Sequence, residues 1–388
     1  MERFEIDVAT RIVFGRGAVG EVRGLARSFG TRAVLVTTPD VKDRFDELFV
    51  SLERKETGDG LECVTFAGVV PNPTVKVIEE GAAMAREFKA DVVVGIGGGS
   101  SMDVAKAIAL GATNAGPVWD YRIGGSRRVE AEVLPVVVVT TTAGTGSHVT
   151  PVAVLTNSIT ESKSAIVDGR LRPRAAIVDP SLSVGLPAGT TAATGFDVFA
   201  HAFESTLHPS RSRFVDLLAE EAMRLVVRWL PEALADGKNY DARSAMCWAD
   251  TLAGLCISHA GTTLPHGIAM AIGGHAPHVA HGQALAAVYA AVADITWEFA
   301  VPQFARLDAL LRGGKDDGAA PEACAQRAVG ELRDFISAIG LGGGLRSLKV
   351  RREQFGDIQQ DTFELPDYKM HPRLIDGAEV ASVLEASY

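Results

Sequence analysis

Cysteine is scarce: the 388 residues hold four, Cys63, Cys247, Cys256 and Cys324, far apart and with no C-x-x-C pair. That excludes a disulfide framework and a thiolate zinc knuckle. Basic charge is in the minority, with Lys plus Arg at 38 against 48 for Asp plus Glu, a net charge of −10. Nucleic acid is therefore not an expected partner, because neutralising phosphates needs a basic footprint. No apolar stretch nears a membrane span, the longest β-branched run being residues 136–142. The opening MERFEIDVATR carries charge where a secretion signal needs an apolar core. These absences make a soluble, cytoplasmic protein the expectation. Apolar residues make up 47% of the chain, enough for a sizeable core, and the length suggests two or three domains.

The first half alternates short β-branched runs with amphipathic stretches. Residues 33–37, 62–66, 90–96 and 136–140 read as strands, and 41–52 and 75–88 as helices. Such alternation predicts a parallel sheet covered by helices on both faces. Beyond Asp179-Pro180 strand-like runs stop, and Leu/Ala-rich segments at 213–229, 242–256 and 322–339 read as helices with one apolar stripe each. The reading is an α/β domain with a Rossmann-like parallel sheet over residues 1–185 and an all-α domain over 186–388.

Within residues 90–110 a strand runs into Gly97-Gly98-Gly99 and then a helix. Without Cβ atoms, these glycines let backbone amides approach a ligand. Ser100 or Ser101 is expected to cap the helix, with Asp103 as capping-box partner of Ser100. Free amides backed by the helix dipole make an anion site suited to a pyrophosphate. A tight turn without a ligand is the plainer reading. The loop's place at the carboxyl end of a parallel strand favours a nucleotide. A second loop of small residues, 140–147, follows the next strand, so two loops could line one site.

Seven of the nine histidines fall between positions 201 and 281. Asp197 and His201 are four apart, which puts both on one helical face. His266 and His281 follow, with His275 and His278 between them. One carboxylate with imidazoles suits a divalent first-row ion such as Fe²⁺ or Zn²⁺. Each histidine alone reads as an ordinary structural residue, and for His208 and His278 that is the expectation.

Taken in order, these motifs resemble the iron-containing (group III) alcohol dehydrogenases. The resemblance runs through Thr10-Arg-Ile-Val-Phe-Gly15, Pro71-Asn-Pro-Thr74, Gly97-Gly-Gly-Ser-Ser-Met-Asp103 and Thr141-Thr-Ala-Gly-Thr-Gly-Ser147. It continues through Asp179-Pro-Ser-Leu182, residues 194–204 and His281-Gly282. It implies a dinucleotide-binding domain, an all-α domain of the dehydroquinate synthase-like kind, and a cleft between them. It also implies Asp197, His201, His266 and His281 as metal ligands. Gly97, Gly98, Gly99, Ser100, Ser101 and Asp103 would serve the pyrophosphate. Thr38, Asn72, Thr141, Thr142, Thr145, Ser147, Lys163 and Leu182 would complete the cofactor site. A homo-oligomer, commonly a dimer, would be usual.

Four departures stand out against that resemblance. Met270 replaces a histidine four residues after the third ligand, which leaves His275 or water, beside His266, to handle protons. His148 stands for a usual glutamate and His259 for a usual asparagine, and both are expected to face the cleft. One extra residue between His266 and His281 makes His278 a rival fourth ligand, although Gly282 favours His281. At the end of the strand over residues 33–37, Thr38 offers no carboxylate to repel a 2′-phosphate, so NADP is expected to be accepted beside NAD. The resemblance implies reversible NAD(P)-linked oxidation of a small alcohol. Maleylacetate reductase is the alternative within the same architecture, and metal-dependent hydrolysis or a non-catalytic nucleotide-binding protein lie outside it.

Overall fold

The structure, a computed structural model, describes residues 3–53, 61–315 and 318–388. The first two residues of the charged opening stretch lie outside it. The chain divides into two compact units. One holds Asp7–Val184, and the other holds Gly185–Tyr388 with Met1–Ile6.

Six strands build the sheet of the first unit: β1 (Arg11–Phe14), β2 (Arg32–Val36), β3 (Glu62–Phe66), β4 (Val92–Gly97), β5 (Val136–Thr140) and β8 (Ala175–Val178). Their order is β1-β8-β5-β4-β2-β3, and every pairing is parallel. Alternate residues explain why the strands read as continuous apolar runs. Val93, Val136 and Val138 enter the core on one face, while Val92, Val94, Val137 and Val139 enter that on the other. The helices Val75–Phe88 and Gly99–Thr113 supply much of the first core.

The chain leaves β2 outward to β3 and leaves β4 the other way to β5, so the order reverses between β2 and β4. Ligands of open α/β sheets bind at the carboxyl edge of such a switch point. Thr38, the glycine triplet and the loop after Thr140 all leave that edge.

Two differences from the sequence reading concern this unit. The expected helix over residues 41–52 is two helices, Pro39–Arg44 and Asp46–Glu53, parted at Phe45, whose φ of −119° is not helical. A hairpin of β6 (Val152–Asn157) and β7 (Ser162–Val167) was not anticipated. Its half-buried β6 leaves less contrast than a core strand does.

The second unit is helical among the described residues. The helix Ala188–Leu207 is buried nearly all round, with Phe196, Phe199 and Phe203 on one side and Asp197, His201 and Glu204 on another. Phe196 meets Tyr289 edge-on at 5.1 Å, and Phe203 meets Phe304 at 5.2 Å. Among the described residues no helix is long and apolar enough to cross a membrane.

Candidate metal centre and dinucleotide loops

Three helices deliver the metal candidates. Asp197 and His201 lie one turn apart on Ala188–Leu207, His266 is in the first turn of Leu264–His275, and His281 opens His281–Thr296. Gly282 lets that last helix start so close, since a Cβ there would lie 2.0 Å from the carbonyl oxygen of Ala193. The His-Gly pair is thus a packing requirement as much as a motif.

Asp197 Oδ1 is the hub. It stands 3.7 Å from His201 Nε2, 3.5 Å from His266 Nε2 and 3.7 Å from His281 Nε2. Donors about 2.1 Å from one ion in a tetrahedral set lie about 3.4 Å from one another. These spacings are therefore too long for hydrogen bonds and right for a shared cation. Asp197 Oδ1 and His266 Nε2 are buried with no hydrogen-bond partner among the described residues. Orphaned buried polar atoms in a native fold call for an explanation, and an N/O-coordinated ion supplies one. Ligand atoms of Asp197, His201 and His266 all lie within 4.8 Å of one another. The donor set fits Fe²⁺ or Zn²⁺.

Electrostatics agree with the geometry. Burial alone would raise the Asp197 carboxyl, but His201, His281 and His266 hold it well below the usual carboxylate range. Burial opposes a charge on His266, yet Glu204 and Asp197 outweigh it and push the imidazole up to about 10. An ion arriving there must displace a proton.

Glu204 was not singled out in the sequence. It is fully buried, and its Oε1 accepts from His266 Nδ1 at 2.7 Å. Its Oε2 accepts from the Thr263 amide at 2.7 Å and the Thr263 hydroxyl at 3.2 Å. With Nδ1–H held by a carboxylate, Nε2 of His266 is the nitrogen that would give up its proton and offer a lone pair to an arriving ion. Behind Thr263, His371 Nδ1 meets its hydroxyl at 3.2 Å and His371 Nε2 meets Thr296 Oγ1 at 2.8 Å. Burial pushes His371 down to about 3, which keeps that ring neutral.

The other histidines part from this group. His278 Nε2 donates to the Leu348 carbonyl at 3.0 Å. His275, expected as a proton handler, lies away from the four candidate ligands. It sits nine residues after His266 on one helix, about 13 Å along the axis and on the opposite face. There it meets Asp361 at 3.0 Å. His259, expected to face a cleft, turns Nδ1 to the Leu255 carbonyl at 2.7 Å, one turn back on its own helix. His148 is 0% exposed, and burial with nearby Lys106 pushes it down to about 3, so it presents nothing outward.

In the first unit the glycine triplet and the second loop meet directly. Register pairing sets Gly97 beside Thr140, and the Thr141 amide donates to the Gly97 carbonyl at 3.0 Å. A Cβ on Gly98 would lie 3.0 Å from Thr142 Oγ1, and one on Gly99 would lie 2.5 Å from Thr145 Cγ2. Gly97 has φ of 145°, open only to glycine. The expected serine cap is absent: Gly98 is the N-cap and no side chain caps the helix. Ser100 and Ser101 already lie within its first turn, two and three residues past the cap position. Ser101 Oγ is buried without a hydrogen-bond partner among the described residues. Uncapped amides, an orphaned hydroxyl and missing Cβ atoms together fit an anion such as a pyrophosphate.

The remaining cofactor candidates fall into three groups. Asn72, in left-handed conformation at φ of 50°, accepts from Lys163 Nζ at 2.9 Å; the unexpected hairpin carries that lysine. Thr38 caps Pro39–Arg44 by accepting from the Val41 amide, and Asp40 lies in that helix's first turn. Asp103, Ser147 and Leu182 face inward. Asp103 accepts from Ser147 Oγ at 2.6 Å and the Val154 amide at 3.1 Å instead of closing a capping box, and Leu182, 7% exposed, packs in the core.

Known proteins match this chain along nearly its whole length. The family model for iron-containing alcohol dehydrogenases covers residues 9–180, and that for the C-terminal part of the same family covers 191–388. An NAD-dependent methanol dehydrogenase of Bacillus methanolicus is 34% identical over 96% of this chain and 97% of its own. A 1,3-propanediol dehydrogenase of Klebsiella pneumoniae is 32% identical over 97% and 96%. Among solved structures, an archaeal halo-thermophilic alcohol dehydrogenase from a Red Sea brine pool superposes with a TM-score of 0.94. It is 31% identical and covers 100% of this chain and 99% of its own. The chain belongs to the iron-containing alcohol dehydrogenase family.

Proposed function

We propose that Asp197, His201, His266 and His281 hold one divalent ion, Fe²⁺ or Zn²⁺, in an enzyme that oxidises small primary alcohols and reduces the matching aldehydes. Metal-dependent, NAD(P)-linked oxidoreduction at CH–OH groups is the chemistry of the family to which the chain belongs. The observation that carries the ligand assignment is the meeting of three Nε2 atoms at one orphaned carboxylate oxygen. The small-alcohol reading rests on the methanol and 1,3-propanediol dehydrogenases at 34% and 32% identity.

When bound, the ion would supply a Lewis acid for an alcohol oxygen and the nicotinamide a hydride acceptor. The protein's part is placement. Asp197 stays ionised at neutral pH because three imidazoles surround it, and Glu204 keeps the proton of His266 on Nδ1, away from the ion. The helix start at Gly98–Ser101 receives the pyrophosphate, with Thr141, Thr142 and Thr145 beside it. Thr38, which brings no carboxylate, leaves the site open to NADP as well as NAD. Met270 carries no titratable group and His275 is held by Asp361 at the far end of its helix, so neither takes the substrate proton. The reading includes a cytoplasmic homodimer; the scarcity of cysteine, four in 388 residues, suits a reducing compartment.

Chelation of the purified enzyme should abolish alcohol oxidation with either cofactor, and returning Fe²⁺ or Zn²⁺ should restore it. Full turnover by metal-free protein would contradict the reading. Reduction of maleylacetate in preference to short aldehydes would place the chain with maleylacetate reductases instead.

A further inference from the structure

His371 is buried and lies outside the four candidate ligands, yet its ring joins the helix that carries His266 to the one that carries His281. Its Nδ1 is 3.2 Å from the hydroxyl of Thr263, the residue at the start of Leu264–His275. Its Nε2 is 2.8 Å from the hydroxyl of Thr296, the last residue of His281–Thr296. Both threonines are buried as well, so these protons meet only one another and nearby protein acceptors.

Thr263 behaves unusually for its position. A threonine at a helix N-cap ordinarily turns its hydroxyl to accept from an amide of the first turn. No side chain caps Leu264–His275, and this hydroxyl lies instead 3.2 Å from Glu204 Oε2.

One placement of protons satisfies the whole group. A neutral imidazole carries one N–H, a hydroxyl one O–H and a carboxylate none. The proton between Glu204 Oε2 and Thr263 Oγ1 therefore comes from Thr263. His371 Nδ1 must then bring its own proton to Thr263 Oγ1. Burial keeps the ring neutral, so Nε2 is bare and accepts from Thr296. The reverse order would give the Thr296 proton to the Val292 carbonyl, 2.5 Å away, and set Nδ1 against Glu204 for the proton of Thr263. Val292 already receives the amide of Thr296 within the helix, and a charged acceptor holds a donor more strongly than a neutral one. The first order prevails, with its hydrogen bonds all directed toward Glu204.

We infer that His371 is a positioning residue of the metal centre: its Nδ1–H turns the Thr263 hydroxyl onto Glu204 and so fixes that carboxylate on His266 Nδ1. The inference rests on the proposed ligand set. Without the ring, the Thr263 hydroxyl is free to turn back to its own helix, and Glu204 Oε2 keeps only the Thr263 amide.

Asparagine at residue 371 can place its amide nitrogen where Nδ1 of histidine stands, whereas glutamine places its nitrogen nearer Nε2. The two variants separate a donor to Thr263 from bulk at that position. Competition against a fluorescent zinc chelator should show affinity about tenfold weaker in His371→Gln and Thr263→Val, and within about twofold of wild type in His371→Asn. Equal zinc affinity in folded His371→Asn and His371→Gln protein, with Tm lowered in both, would overturn the inference. Thr263→Val leaves residue 371 intact and gives the comparison if the His371 variants do not fold; wild-type affinity there would overturn it too. Nitrogen-15 NMR of the zinc-loaded wild-type enzyme with labelled histidine should find the His371 proton on Nδ1, and a proton on Nε2 with Nδ1 bare would contradict it. A wild-type chain that binds no zinc would overturn the ligand assignment itself, while the tautomer of His371 could still be read in it.

Discussion

Replacing Asp197 by asparagine is expected to cut turnover by about a thousandfold, the rate equivalent of about 4 kcal/mol. The substitution keeps the volume and one oxygen but removes the only anionic donor among the four. That oxygen faces three Nε2 atoms at 3.5–3.7 Å, so its charge is what a cation would meet from every direction. Metal measured after dialysis should fall from about one ion per chain to a small fraction of that. Far-ultraviolet circular dichroism should not change, because Phe196, Phe199 and Phe203 still pack the helix that carries residue 197. An asparagine variant that keeps its metal and more than a tenth of the activity would show that the carboxylate is structural.

The second large effect is expected at Glu204, which touches no substrate. Its two oxygens serve donors on opposite sides, His266 Nδ1 and the Thr263 amide, each at 2.7 Å. Glutamine offers one acceptor oxygen and a donor in place of the other. One of those buried N–H groups then faces an N–H, at a cost of about 1–3 kcal/mol. Glu204→Gln should therefore weaken Zn²⁺ binding by about ten- to a hundredfold, as losing an outer carboxylate partner of a ligating histidine commonly does. Competition against a fluorescent zinc chelator measures this without any turnover. Tm of the metal-free variant should fall by a few degrees. Unchanged zinc affinity with a lowered Tm would reduce Glu204 to a packing role.

The fold's outline was legible because its signals are local. Buried parallel strands read as Val-rich runs, and glycines at 97–99 punctuate the step from β4 to the following helix. The Asp197/His201 spacing and the histidine density between positions 201 and 281 pointed to a metal-binding group, and the family resemblance narrowed it to the four side chains that the structure brings to one place. What could not be read is what depends on partners distant in sequence. Glu204 meets Thr263 and His266, and His371 comes from more than a hundred residues away. A signal was nonetheless present. Asp197, His201 and Glu204 stand at i, i+4 and i+7, the spacing of a buried stripe, and a carboxylate there needs an internal partner.

The capping box misled for a related reason. Ser100 and Asp103 have the right separation, but the cap lies two residues earlier, at Gly98, and Asp103 is taken by Ser147 and Val154. His275 is the next histidine after Met270, and nine helical residues place its ring and that of His266 at opposite ends of one helix. The hairpin of β6 and β7 escaped because partial burial leaves only a weak alternation. Without it, the meeting of Asn72 with Lys163 has no visible cause.

The most direct measurement is anomalous X-ray scattering from crystals of the metal-loaded enzyme, recorded at the iron and zinc absorption edges. The account predicts one peak per chain, about 2.0–2.2 Å from Asp197 Oδ1 and from the Nε2 atoms of His201, His266 and His281. A peak held by other residues, or catalytically active crystals with no peak at all, would contradict it.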